Sequence, residues 1–137
     1  MTNAEFDNIT ALAVEDDAGG MAIIGVMLRY LDIKAYLNAT GERVVEMARA
    51  MKPPPNIIFL DINLPKTTGY DILRQIRADE RLKNTLVIAV TAQDADEEIP
   101  KCREAGFDGF IGKPINRSRF PRQLRRILKG DSVWETY

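Results

Sequence analysis

A chain of 137 residues, 45% hydrophobic and 28% charged, is long enough for one domain, too short for two of average size and too apolar to be disordered. Its 19 basic residues balance 20 acidic ones to a net charge of -1, which excludes a general attraction to nucleic acid or anionic membranes. One cysteine rules out an internal disulfide, the N-terminus lacks the regions of a signal peptide, and no apolar run reaches the ~20 residues of a membrane span, so a soluble, cytoplasmic protein without membrane insertion is expected.

After an N-terminal extension over residues 1–9, the run 10–14 predicts a first strand that ends in the acidic triplet Glu15-Asp16-Asp17. Ile24, Met27, Leu28 and Leu31 follow at helical spacing; Gly19 and Gly20 should fray the first turn, the alternative being that they let this loop approach the acidic residues closely. Residues 34–37 form a short second strand, and Thr40 is the candidate cap of a second helix carrying Val44, Ala48 and Met51. The prolines at 53–55 end that helix, and the strongly apolar run 57–60 then delivers Asp61. A helix with Tyr70, Leu73 and Ile76 leads to a central strand over 86–90, apolar on both faces and closed by Thr91. Pro100 predicts a fourth helix that starts late, near Glu98, with 93–97 as a loop. Phe110 and Ile111 make a fifth strand before Lys113-Pro114, and Pro121 delays or distorts the last helix, which carries Phe120, Leu124, Ile127 and Leu128. Residues 130–137 form a tail whose Val133-Trp134-Glu135-Thr136-Tyr137 is aromatic enough to dock on the domain or on a neighbour, with a disordered end as the equal alternative.

Strands alternating with helices of this length call for right-handed crossovers, hence a parallel sheet covered on both faces. The expected fold is a doubly wound α/β domain over residues 10–129. Ligands bind at the carboxyl ends of the strands in such folds, and Glu15, Asp16, Asp61, Thr91 and Lys113 all fall there. Carboxylates brought together repel unless a cation balances them, so a hard divalent metal is expected, Mg²⁺ with Mn²⁺ as a substitute. Asp16 and Asp61 are the candidate direct ligands; Glu15 reaches the metal directly or through water, and the backbone carbonyl of Asn63 supplies another oxygen. Such a pocket has the parts for phosphoryl chemistry: Asp61 as nucleophile, Lys113 as a second positive charge and the Thr91 hydroxyl as a donor.

These residues resemble the receiver domains of bacterial two-component response regulators, over roughly residues 10 to 129. The resemblance rests on Val14-Glu15-Asp16-Asp17, Leu60-Asp61-Ile62-Asn63-Leu64-Pro65 followed by Gly69, Val90-Thr91-Ala92, Ala105-Gly106-Phe107-Asp108-Gly109-Phe110 and Lys113-Pro114-Ile115, in that order. It implies a flavodoxin-like fold of five strands, order 2-1-3-4-5, with five helices. It also implies that Asp61 accepts a phosphoryl group from a phosphohistidine on a sensor histidine kinase or histidine phosphotransfer protein. The chain would catalyse its own phosphorylation and dephosphorylation and turn over no separate substrate. Thr91 and Phe110 would be the switch residues, the Lys113-Pro114 bond would be cis, and the fourth helix, fifth strand and fifth helix would meet a downstream target protein. A homodimer stays open, and nucleic acid is not expected as a partner, because the arginines of the last helix read as a solvated face. Two alternatives stand beside this reading. One is a docking module independent of phosphorylation, the other an aspartyl-phosphate phosphatase of haloacid dehalogenase type. The second requires Asp-x-Asp where this chain has Asp61-Ile62-Asn63.

Overall fold

The computed structural model describes residues 4–136; the first residues of the N-terminal extension and Tyr137 at the tip of the tail lie outside them. After a 3-10 turn at Ala4–Phe6 come β1 (Thr10–Val14), α1 (Ala18–Tyr30), β2 (Lys34–Asn38), α2 (Val44–Ala50), β3 (Ile57–Leu60), α3 (Gly69–Ala78), β4 (Leu86–Thr91), α4 (Ala95–Ala105), β5 (Gly109–Gly112), α5 (Phe120–Leu128) and β6 (Val133–Glu135). All strand pairs are parallel and the order is β2-β1-β3-β4-β5-β6. The expected order 2-1-3-4-5 is therefore present, extended at one edge by a sixth strand from the tail.

The period-two pleat sorts the central strands between two cores. Ala11, Ala13, Ile57, Phe59, Ile88 and Val90 face one side and pack with Ile24 and Leu28 of α1 and Phe120, Leu124 and Ile127 of α5. Leu12, Val14, Ile58, Leu60, Val87 and Ala89 face the other, against α2, α3 and α4. Apolar residues in unbroken runs are what a sheet buried on both faces demands, and every residue of β1 and β3 is buried.

Three local expectations are corrected and a fourth is met. The helix α1 begins at Ala18 rather than fraying, because the Asp17 carboxylate caps it by accepting the Gly20 amide at 2.8 Å. Thr40 does not cap α2: Arg43 precedes that helix, and the Asn38 side chain instead organises the turn by accepting the amides of Thr40 and Gly41. The helix α4 starts at Ala95 and contains Pro100. Asp94 caps it and three acidic residues occupy its first turn, favourable charges at a helix N-terminus. The carbonyl that Pro100 leaves without its amide partner belongs to Asp96, an exposed residue. The last helix does start late, at Phe120, with Pro121 in its first turn.

The tail closes the sheet. Glu135 accepts hydrogen bonds from Arg126 of α5 at 2.8 Å and from Gln123 at 3.1 Å. The Arg126 hydrogen bond, first among several causes, holds the Glu135 carboxyl below its ordinary range. A carboxylate depressed in the folded state contributes stability that is present above its unfolded value and lost as the pH falls through the folded one. Acid titration should therefore release β6 ahead of global unfolding, seen as a change in Trp134 fluorescence before loss of far-ultraviolet helix signal; coincident transitions would contradict this.

Candidate functional site

Glu15, Asp61 and Lys113 each sit one step past the carboxyl end of a strand, and Thr91 at the end of one; the first three are held there by a neighbouring strand's backbone. The Glu15 amide donates to Asn38 at 3.0 Å, Asp61 to Val14 at 3.0 Å and Lys113 to Thr91 at 2.9 Å. Ladder bonds thus continue beyond the strands and fix where these side chains emerge. The Lys113-Pro114 peptide is cis, as the resemblance implied; Lys52-Pro53 is cis as well.

Carboxylate oxygens of Glu15, Asp16 and Asp61 lie within 4.8 Å of one another. Glu15 is 5% and Asp61 7% exposed, whereas Asp16 is exposed and marks the open mouth. The Lys113 ammonium stands 3.1 Å from Asp61 Oδ2 and is also ion-paired with Glu15 Oε1. The Asn63 amide donates to Asp61 Oδ1 at 3.1 Å, which orients that carboxylate, and the Thr91 hydroxyl is buried and accepts from the Gln93 amide at 3.3 Å. Asp17, the third member of the acidic triplet, points elsewhere and caps α1. Phe110 is fully buried in β5, in register with Ala89 of β4 and Trp134 of β6.

Burial raises the Glu15 pKa, and hydrogen bonding with Asp61 raises it further, against the opposing pull of Lys113. Burial lowers that of Lys113, but its bonds to Glu15 and Asp61 outweigh burial and leave the ammonium harder to deprotonate than an ordinary lysine. Three carboxylates facing one ammonium leave an excess of negative charge. The donor set is all oxygen, two members fixed and one open to solvent, which fits a hard divalent cation that retains water ligands.

Two glycines shape this site: Gly20, one of the pair at the start of α1, and Gly69, a motif position. A Cβ on Gly20 would lie 2.6 Å from Glu15 Oε1, so any side chain there would displace the Glu15 carboxylate from the position it holds beside the start of α1. A Cβ on Gly69 would lie 2.8 Å from the Asp61 carbonyl oxygen and 2.9 Å from Ile62 Cα, both backbone atoms that cannot swing aside. The Gly69→Ala variant should lose about 2 kcal/mol by overpacking, read as a lowered midpoint in urea; an unchanged midpoint would contradict the close approach.

The model of the response regulator receiver domain matches residues 11–125 of this chain. The chain belongs to that family. This receiver is 30% identical over 125 residues to the polar-differentiation response regulator DivK of Brucella ovis, covering 90% of this chain and 98% of DivK. Its fold is similar to the receiver domain of the Pseudomonas aeruginosa sensor histidine kinase PA1611, solved with a magnesium ion coordinated in its active-site cleft. The TM-score is 0.77 at 30% identity, over 90% of this chain and 98% of that one. It is also similar to the receiver domain of a Saccharomyces cerevisiae response regulator solved together with a histidine phosphotransfer signalling protein. That likeness has a TM-score of 0.73 at 26% identity, over 83% of this chain and 84% of that one. Among the described residues of this receiver, no helix is long and apolar enough to cross a membrane.

Proposed function

We propose that Asp61 accepts a phosphoryl group from the phosphohistidine of a sensor histidine kinase or a histidine phosphotransfer protein, and that the phosphorylated chain signals by contact with a target protein. One observation carries this reading: the buried Asp61 carboxylate faces the Lys113 ammonium at 3.1 Å, inside a cluster that also holds Glu15 and Asp16. The yeast receiver solved with a phosphotransfer protein supports the class of donor, and the magnesium in the Pseudomonas cleft supports the class of cation.

Asp16, Asp61, Glu15 directly or through water, and the Asn63 carbonyl would hold Mg²⁺, with Mn²⁺ as a substitute. When bound, the cation neutralises charge on the oxygens of the transferring group. The residues of the chain do the rest. One Asp61 oxygen attacks phosphorus, an O–P bond forms, and the N–P bond breaks with its electron pair returning to the donor imidazole. The Asn63 amide holds the attacking carboxylate in place. Lys113 contributes positive charge, held on its ammonium by the bonds to Glu15 and Asp61, and the Thr91 hydroxyl is the donor for a phosphoryl oxygen. The pocket serves this chemistry on the chain itself rather than on a separate substrate. Phosphorylation then acts through Thr91 and Phe110 on the face formed by α4, β5 and α5.

Mixing the chain with a phosphohistidine-bearing phosphotransfer protein should move the label to the receiver as an acyl phosphate, which hydroxylamine cleaves. A label that stays on the donor, or that resists hydroxylamine on the receiver, contradicts the proposal.

A further inference from the structure

The C-terminal segment makes contacts that phosphoryl transfer at Asp61 does not require. The strand β6 lies parallel to the edge of β5, with Gly109 opposite Val133, Phe110 opposite Trp134 and Ile111 opposite Glu135. Its three side chains alternate between built receptors. Val133 is fully buried in the core beneath α1 and α5. Trp134 lies on the opposite face, where the guanidinium of Arg103 in α4 sits 4.6 Å from its ring. Glu135 is gripped by Gln123, Arg126 and, at 3.6 Å, Arg119. The strand β5 is cut to receive a backbone: a Cβ on Gly109 would lie 2.8 Å from the Val133 carbonyl oxygen, and one on Gly112 would lie 3.1 Å from Thr136 Cα.

This strap is held with visible imperfections. Among the described residues, Trp134 Nε1 and Gln123 Oε1 are buried without hydrogen-bond partners, and both belong to its seam. A cavity of about 200 Å³ opens at its hinge, lined in part by Gly130, Asp131, Ser132 and Trp134. A short edge strand with such defects opens at lower cost than the sheet behind it.

The strap is also wired to the acidic site. Thr91 is opposite Gly112, Gly112 is packed on Thr136, and the Lys113 amide is bonded to the Thr91 carbonyl. Asp61 follows β3, and the sheet order places β3 and β6 on opposite sides of the β4–β5 pair. A phosphoryl group on Asp61, a stronger acceptor than the carboxylate, would draw the Thr91 hydroxyl toward β3 and tighten the hold on Lys113, and so would pull the end of β5 away from β6.

We propose that the β5 edge is a strand-accepting slot, filled at rest by the chain's own tail and vacated on phosphorylation for an extended partner segment with an apolar, an aromatic and an acidic residue in succession. Parallel pairing along a sheet edge supplies its affinity, and the receptors around Val133, Trp134 and Glu135 supply its specificity. The proposal rests on the reading of Asp61 as phosphoacceptor.

The test uses the full chain, hydrogen exchange read at residues 133–136, and a fluorescent synthetic peptide of residues 131–137 as the partner segment. On a chain shown by mass to be fully phosphorylated, those amides should exchange roughly tenfold faster, and the peptide should bind roughly tenfold tighter than to the unphosphorylated chain or than a scrambled peptide does. Glu135→Ala, which loosens the tail without touching the acidic site, should bind the peptide with no phosphodonor present. Unchanged exchange on the phosphorylated chain overturns the coupling. Equal binding of the scrambled peptide, to the phosphorylated chain and to Glu135→Ala alike, overturns the slot. Failure to form the adduct overturns the reading of Asp61 and the coupling with it, while the Glu135→Ala chain still decides the slot.

Discussion

The Asp61→Asn variant is expected to fold normally, to melt no lower than the native chain in the absence of divalent cation, and to take up no phosphoryl group. The loss of chemistry follows from the amide, which keeps the size of the carboxylate but is no nucleophile. The effect on stability follows from charge. Three carboxylates share a space within 4.8 Å with one ammonium, and removing one of them relieves repulsion that the fold otherwise sustains. Lys113 keeps its ion pair with Glu15 in the variant. A function kept at the expense of stability is common at sites of this kind. Thermal melts with and without Mg²⁺ check the second half of the expectation: a variant that melts well below the native chain would mean that Asp61 is mainly a structural partner of Lys113.

Removing the ammonium has the opposite sign. In Lys113→Met, Glu15 and Asp61 remain buried at 5% and 7% exposure with their cation gone, and leaving buried charge uncompensated is among the more costly single changes. The loss should be about 2 kcal/mol, or roughly 7 °C in melting temperature for a chain of this size, short of the full cost of a broken buried pair because Glu15 can take up a proton. The pH dependence follows. Burial already raises the Glu15 pKa in the folded chain. A carboxyl whose folded pKa lies above its unfolded one adds stability below the unfolded value, and that stability is lost as the pH rises through the folded value. The penalty of Lys113→Met should therefore shrink on acidification and also shrink on adding Mg²⁺, which replaces the missing charge. Urea titrations across pH decide this: a penalty independent of both pH and Mg²⁺ would assign Lys113 a packing role only.

Most of the site could be read from the chain because its chemistry and its architecture use the same signal. A run such as 57–60 is buried on both faces and must end where the sheet ends, so the polar residue that follows it marks the carboxyl edge. Glu15, Asp61, Thr91 and Lys113 are legible in this way; the structure gathers Glu15, Asp16, Asp61 and Lys113 into one cluster and sets Thr91 at the end of β4, the strand beside β3. The fold followed from the same alternation, and family membership sets the receiver reading above the phosphatase one. What the sequence concealed depended on partners distant along the chain. The strand β6 has three residues, and their order acquires meaning only beside Arg103 of α4 and Arg119 and Arg126 of α5. Helix α4 contradicted the usual rule for proline because its capping aspartate and the solvent around Asp96 offset what Pro100 removes. The arginines of the last helix, expected to be a solvated face, are partly committed, Arg125 to Glu5 and Arg126 to Glu135. Gly69 appeared in the sequence as a motif position, and only the geometry explains why a side chain cannot stand there.

Phosphorylation at Asp61 is the central claim, and intact mass spectrometry after incubation with acetyl phosphate tests it most directly. In the presence of Mg²⁺ the native chain should gain one phosphoryl group, mapped by fragmentation to Asp61, and should gain none once the cation is chelated. An adduct that forms equally well without a divalent cation, or that maps to any other residue, would contradict the account.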